Sequence, residues 1–337
     1  MFQTLGIDCT AVQAPMAGVS TPALTAAIAN AGGLGFVALG TFGVAEARRA
    51  LDQTRALTAR PFGVNLFCHE PARRDPEREA RWLDRLRPDF ARFGAEPPAA
   101  LAEIYDSFRV NDALLALLLA EKPAVISFHF GLPREDHLRA LRDSGAMLLA
   151  TATCPEDGRI LAKAGLDGIV AQGWQAGGHR GLFDPVDMAQ DQRLPTLELL
   201  GQLRDLGLPL IAAGGIMTAK DRREAMAAGA AAVQCGTAFL LSPEVTTSAD
   251  HRARLASSQT QMTRAISGRP ARGLVNGFMQ MNESEAPDYP VAYDAAKALN
   301  AAAVAKGDHS FAAQWAGTGA AQAVARPAAE TLAAISG

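Results

Sequence analysis

Cysteine is scarce in this chain of 337 residues: Cys9, Cys68, Cys154 and Cys235 lie far apart, with no CxxC pair among them. That spacing excludes a disulfide framework and a zinc-ribbon type of metal site, and it fits free thiols in a reducing compartment. Long hydrophobic runs are missing too. No stretch reaches the roughly 18 apolar residues that a membrane span needs. The opening "MFQTLGIDCTAVQAPM" has neither the basic region nor the continuous apolar run of a secretory signal. Strong charge of one sign is also absent. The formal net charge is -3 and basic residues are scattered through helical segments, which excludes a nucleic-acid stripe or a polybasic membrane patch. These absences leave small molecules as the expected partners and the cytoplasm as the expected location.

What the chain has in plenty is a repeated unit. A helical pattern ends in a small residue plus glycine, and an apolar run follows, as in "AIANAGGLGFVALG", "ILAKAGLDGIVAQG" and "LLGQLRDLGLPLIAAGG". Glycine just past a helix is the left-handed stop, and a short continuous apolar run is what a strand buried on both faces requires. Candidate strands fall at 12–16, 34–40, 62–67, 124–130, 146–153, 168–173, 209–215 and 231–241. Eight alternations over this length fit a closed α/β (β/α)8 TIM barrel better than an open doubly wound sheet. Thr153-Cys-Pro-Glu156 and Thr218-Ala-Lys-Asp221 read as helix starts, each with a capping oxygen three residues before an acid. The barrel is assigned to 1–67 and 122–242, with 68–121 a charged helical insertion. Residues 243–337 are expected to form further helices beside the barrel mouth.

In such barrels, chemistry sits at the C-terminal ends of the strands. "LIAAGGI" and "VQCGTAFL" place Gly214, Gly215 and Gly236-Thr237 after the seventh and eighth strands. One such glycine alone permits a tight turn. Two sets in register at this corner point to backbone N–H groups that hold a phosphate. Asn65 and Gln172 are carboxamides on otherwise apolar strand ends, able to donate to and accept from the edge of a heterocycle such as a flavin. In "AQGWQAGGHRG", Gly177 and Gly178 allow a close backbone approach to a bound ring while His179 projects toward substrate. His129, between Phe128 and Phe130, faces either the barrel mouth or a satisfied position in the core, and period alone leaves both open. His69 reads as a surface residue, and His137, His251 and His309 are given no role.

These residues resemble the flavin-dependent nitronate monooxygenases, formerly called 2-nitropropane dioxygenases. The similarity runs in order through "QAPMAGVSTPALTAAIANAGGLGFV", "PFGVNLF", "VISFHFGLP", "GLDGIVAQGWQAGGHRG", "PLIAAGGIMTAKDRREAMAAGAAAVQCGTAFLLSPE" and "TRAISGRPARGLVN". It implies an FMN-binding TIM barrel that oxidises alkyl nitronates, with O2, to carbonyl compounds and nitrite. It further implies that Met16 and Ala17 lie along the flavin and that Asn65 and Gln172 contact it. Gly177, Gly215 and the run Gln234, Cys235, Gly236, Thr237 would hold its ring or phosphate, and His179 would be the base that takes the α-proton of a neutral nitroalkane. One departure stands out. The family commonly has glutamate where this chain has Gln175, after Trp174, and a carboxylate lost beside the histidine is expected to alter its basicity or the substrate preferred. Two other functions fit such a barrel: NAD(P)H-dependent reduction of enoyl thioesters, and non-catalytic binding of FMN or another phosphate ligand. No GxGxxG fingerprint followed by an acid marks a second nucleotide.

Overall fold

A computed structural model describes residues 1–7, 9–183, 191–256 and 259–337. Eight short parallel strands carry the fold: β1 (Ala11–Gln13), β2 (Phe36–Ala38), β3 (Gly63–Phe67), β4 (Val125–His129), β5 (Met147–Ala152), β6 (Gly168–Gln172), β8 (Leu210–Ala213) and β9 (Ala232–Cys235). They pair in the order β1-β9-β8-β6-β5-β4-β3-β2, and a parallel bridge from Val12 to Leu34 draws the two ends together. At that seam the Gln13 N–H donates to Leu34 O at 3.0 Å, and the buried Gln13 side-chain oxygen accepts from Phe36 N–H at 2.8 Å. The seam between β1 and β2 is thus bridged by main-chain and side-chain hydrogen bonds. The eightfold alternation read from the sequence is a (β/α)8 TIM barrel.

Each strand buries both faces, so alternate residues serve different cores. Val12, Phe36, Val125, Leu149, Val170 and Ile211 fill the barrel interior. Their neighbours Ile126, Leu148, Ile169 and Ala212 pack outward against the helices. The ring includes α1 (Pro22–Asn30), α2 (Val44–Leu57), α4 (Asp112–Glu121), α5 (Glu135–Asp143), α6 (Pro155–Lys163), α7 (Thr196–Leu203) and α8 (Ala219–Ala227). The last ring position, between α8 and α1, is taken by α11 (Ala328–Ser336) from the far end of the chain. Arg222 holds it there through the carbonyls of Ile335 and Ser336.

Three local expectations turned out differently. Thr218 and Asp221 form a reciprocal capping box on α8, but α6 starts from Cys154, and the Thr153 hydroxyl donates to Asp157, four residues on, at 2.9 Å. The eighth apolar run stops being a strand at Cys235, because residues 237–239 wind into a 3-10 turn. The C-terminal region is not helical throughout. Beside α10 (Val291–Val304) it contributes β10 (Thr260–Thr263) and β11 (Ala271–Leu274), which form an antiparallel sheet with β7 (Gly178–His179). β11 thus lies between β10 and the glycine loop, with main-chain partners on both edges.

The segment 68–121 does two things. Its last part is ring helix α4, set against α2 and α5, whereas α3 (Pro76–Arg92) leaves the barrel and packs on α10. Trp82, Leu86 and Phe90 of α3 share a second core with Phe278, Phe311 and Leu299 from the C-terminal region. Insertion and tail thus form one layer. Among the described residues no helix is long and apolar enough to cross a membrane.

Candidate active site

The strand ends and the C-terminal layer enclose a cavity of about 590 Å³. All the residues singled out from the sequence line it: Met16 and Ala17 after β1, Asn65 on β3, His129 on β4, and Gln172, Gly177, Gly178 and His179 at and after β6. Gly214 and Gly215 after β8, and Gln234, Cys235, Gly236 and Thr237 at and after β9, complete the set.

The glycine corner has the chemistry of an anion cradle. Gly214 and Gly215 sit at φ 113° and 75°, a left-handed turn that side chains resist. Among the described residues, no backbone acceptor takes the N–H of Gly215, Gly236 or Thr237. Thr237 Oγ1 accepts instead from Gly317 N–H at 2.9 Å, which ties the corner to the C-terminal layer. Cys235 contributes no thiolate here, since burial pushes its thiol up to about 12. Asn65 donates through Nδ2 to Ser127 Oγ at 2.7 Å, and its oxygen has no protein donor among the described residues. A phosphate at the corner and a heterocycle along Met16 and Asn65 therefore fit the groups present.

Sequence "AQGWQAGGHRG" is not a loose surface loop. β7 pairs His179 with Ala271 and Gly178 with Arg272, and a Cβ on Gly177 would lie 2.4 Å from Gly317 N. Gln172 also works on this loop: its Nε2 donates to His179 O at 2.9 Å, and its Oε1 accepts from Gly181 N–H at 2.9 Å. His129 Nε2 lies 3.1 Å from the same His179 carbonyl, and its Nδ1 lies 3.0 Å from Thr151 Oγ1. A carbonyl only accepts, so Nε2 of His129 carries the proton and both its nitrogens are occupied. Burial holds its pKa down to about 4. His129 is thus on the cavity wall as a support of the His179 backbone. Arg180, next in the chain, is buried in a two-pronged pair with Asp191 at 2.8 and 3.0 Å.

His179 Nε2 is 2.8 Å from Ser267 Oγ, and that hydroxyl donates to Arg269 O at 3.1 Å. With its proton directed to the carbonyl, Ser267 accepts from His179, which makes Nε2 the protonated nitrogen and leaves Nδ1 its lone pair. Among the described residues nothing bonds to Nδ1. Burial, helped by His129 and Arg269, pushes the His179 pKa down to about 3, so the ring is a free base throughout the neutral range.

Gln175 has a different neighbour from the one expected. Its Oε1 accepts from Thr196 N–H at 3.0 Å and Thr196 Oγ1 at 3.1 Å, at the start of α7. Amide and carboxylate alike suit the positive end of a helix, so the change from glutamate is read at α7 rather than on the imidazole. Trp174 anchors the outer side of the loop, with Arg180, Arg193 and Arg272 at 5.1 to 5.5 Å from its ring.

The outer wall was not foreseen. Tyr289, Tyr293 and Trp315 surround His179 with ring centroids 5.6, 6.2 and 5.1 Å away. Lys297 lies 4.9 Å from the Tyr105 ring and 5.5 Å from that of Tyr293. His69, expected on the surface, is buried edge-on against Tyr289 at 4.9 Å, because the segment after β3 turns under the C-terminal layer. His251 also lines the cavity, on α9 (Ala249–Arg254). The signal of this wall in the sequence was two tyrosines and a lysine at four-residue spacing, Tyr289, Tyr293 and Lys297, which gives no hint of direction.

A family model described as nitronate monooxygenase matches residues 1–335. The chain is 50% identical to a nitronate monooxygenase of Pseudomonas aeruginosa, over 97% of this chain and 95% of that one. It is 49% identical to a nitronate monooxygenase of Paraburkholderia phytofirmans, over 99% of this chain and 93% of that one. Among solved structures it resembles the nitroalkane oxidase of Streptomyces ansochromogenes, at TM-score 0.89 and 36% identity, covering 99% and 96% of the two chains. FabK from Thermotoga maritima is more distant, at TM-score 0.75 and 25% identity over 99% and 93%.

Proposed function

From the premise that this chain belongs to the nitronate monooxygenase family, flavin-dependent oxidoreductases acting on small molecules, we propose that it binds FMN and oxidises alkyl nitronates with O2 to carbonyl compounds and nitrite. The observation that carries this reading is His179, whose Nδ1 is unbonded among the described residues, on the wall of a cavity that also presents glycine N–H groups with no backbone acceptor among those residues.

In this reading the N–H groups of Gly215, Gly236 and Thr237 take the FMN phosphate. Met16, Ala17 and the Asn65 oxygen, which has no protein donor among the described residues, would lie along its ring system. When bound, the flavin supplies the electron-accepting chemistry. The protein supplies position, charge and a proton acceptor. A neutral nitroalkane gives its α-proton to His179 Nδ1, and Ser267 keeps the imidazole in the tautomer that can receive it. Gln172 and His129 hold the His179 main chain still through its carbonyl. Lys297 places a positive charge near the nitronate, while Tyr289, Tyr293 and Trp315 exclude bulk water. A preformed nitronate needs no base.

The test is the visible spectrum of the purified protein, followed by addition of propionate 3-nitronate without oxygen. Flavin absorbance that bleaches on mixing is the expected result. Bound flavin that ignores nitronate but bleaches with NADPH contradicts the reading in favour of a reductase, and a protein without flavin contradicts it altogether.

A further inference from the structure

His179 stands on a loop whose two ends hold each other. Gln172, the last residue of β6, meets the far end of the loop with its side chain, which binds His179 O and Gly181 N–H at 2.9 Å each. Arg180 returns the contact, since its Nη1 donates to the main-chain carbonyl of Gln172 at 2.8 Å. One side chain from each end grips the main chain of the other, and His179 sits next to Arg180 inside this crossed brace.

The brace ends on one carboxylate. Asp191 accepts from Arg180 Nε at 3.0 Å and from Nη2 at 2.8 Å, and each of the two side chains is 1% exposed. Asp191 Oδ1 also accepts from Arg193 N–H at 3.0 Å, where the chain turns through a left-handed φ of 52°. Beside it, Trp174 N–H donates to Leu194 O at 2.8 Å. The stretch 191–194 is thus fastened to the loop at two points. Taking a guanidinium and a carboxylate out of water together is costly, and well-packed apolar side chains of similar volume are often as stable. What the pair adds over such a contact is direction. The two-pronged bond fixes the plane of the guanidinium, and with it the remaining bond to Gln172 O. Neither Arg180 nor Asp191 lines the active-site cavity.

We propose that Arg180 and Asp191 are positioning residues for His179: the buried pair locks the ends of its loop, so that the imidazole keeps Nε2 on Ser267 Oγ and Nδ1 available to substrate. This rests on the role proposed for His179 as a base. Proton removal needs Nδ1 at a set distance from the α-carbon, whereas a preformed nitronate has no proton to give. Loosening the loop is therefore felt by the neutral nitroalkane.

Two variants of the flavin-loaded protein test this. Asp191→Asn keeps the shape and removes the charge, and Arg180→Met combined with Asp191→Leu replaces the whole pair by apolar side chains, an exchange that buried ion pairs often tolerate. Either variant that retains flavin carries the test. In the double variant kcat/KM for nitroethane is expected to fall about tenfold or more, with nitronate turnover within about twofold and a larger isotope effect on α-deuterated nitroethane. Nitrogen NMR of protein labelled in its histidines reads the ring without any turnover. The His179 signal, identified by its loss in His179→Asn, is expected as the Nε2–H tautomer in the wild type and as a mixture of tautomers in the double variant. A His179 signal unchanged in both variants overturns the proposal. So does an equal fall on both substrates, which would make the pair packing alone. A wild type inert to nitroethane contradicts the base role only, and the tautomer signal still decides the brace.

Discussion

The barrel and the C-terminal layer build the same cavity by different means. The barrel half consists of strand ends whose positions follow from a repeat, and its working groups are small: glycine N–H groups, Asn65, and one imidazole at the end of a pinned loop. The C-terminal half consists of large rings and one ammonium, Tyr289, Tyr293, Trp315 and Lys297, placed by the core that α10 shares with the insertion. Small groups at fixed positions suit a cofactor whose phosphate and ring edge must be met at set points. A wall of large rings suits a small substrate that must be enclosed while it reacts.

The two halves meet where Gly177 touches Gly317, and breaking that contact carries the largest expected effect on stability. In Gly177→Ala the added methyl meets main chain at 2.4 Å, so the tail must move off the loop. Such overpacking costs about 1–3 kcal/mol, and calorimetry is expected to show a matching fall in Tm together with poorer flavin retention after gel filtration. An unchanged Tm with full flavin content would mean that the halves are not in close contact here.

Ser267 tests whether the C-terminal half does more than cover the site. Ser267→Ala removes the acceptor for His179 Nε2–H, and kcat/KM for a neutral nitroalkane is expected to fall by about tenfold, the loss of one buried hydrogen bond of about 1.4 kcal/mol. Turnover of a preformed nitronate should hardly change. Equal losses on both substrates would assign Ser267 to packing alone.

Acid sharpens the comparison, because buried histidines lie in both halves. Burial pushes His69 and His179 down to about 3, and His129 and His251 to about 4. Unfolded, each titrates near 6.5. Between 6.5 and those lower values the unfolded chain binds more protons, so stability is fully present above 6.5 and drains away as pH falls. Tm is expected to hold near pH 7 to 8 and to decline steadily from pH 6.5 to 4.5. A flat profile there would contradict the neutral assignments. The smallest effect is expected from Gln175→Glu: with its oxygen turned to Thr196, the pH profile of nitroalkane turnover should stay within about twofold.

The barrel half was legible because strand, glycine and helix recur, and a repeat fixes where each strand end must lie. Eight runs predicted the closed sheet, and each of the candidate residues from Met16 to Thr237 lines one cavity. What failed there was directional. Asn65 leaves its oxygen to the cavity while Gln172 turns both ends of its amide to the loop, and two carboxamides on similar strands carry no mark of that difference. The C-terminal half was illegible for a deeper reason. Tyr289, Tyr293 and Ser267 reach His179 only through tertiary packing, and the strand 271–274 lies between its neighbour 260–263 and a two-residue strand nearly 100 positions earlier. His69 was misjudged in the same way, since polar neighbours in sequence said nothing about the layer that folds over it.

The most direct test of the central claim compares two substrates on His179→Asn. Steady-state kcat/KM is measured with nitroethane and with its preformed nitronate, on protein shown to hold flavin. The account predicts that nitroethane turnover falls by about 10² to 10⁴, as for the loss of a general base, while nitronate turnover stays within a few-fold. Unchanged nitroethane turnover, or an equal fall on both substrates, would contradict it.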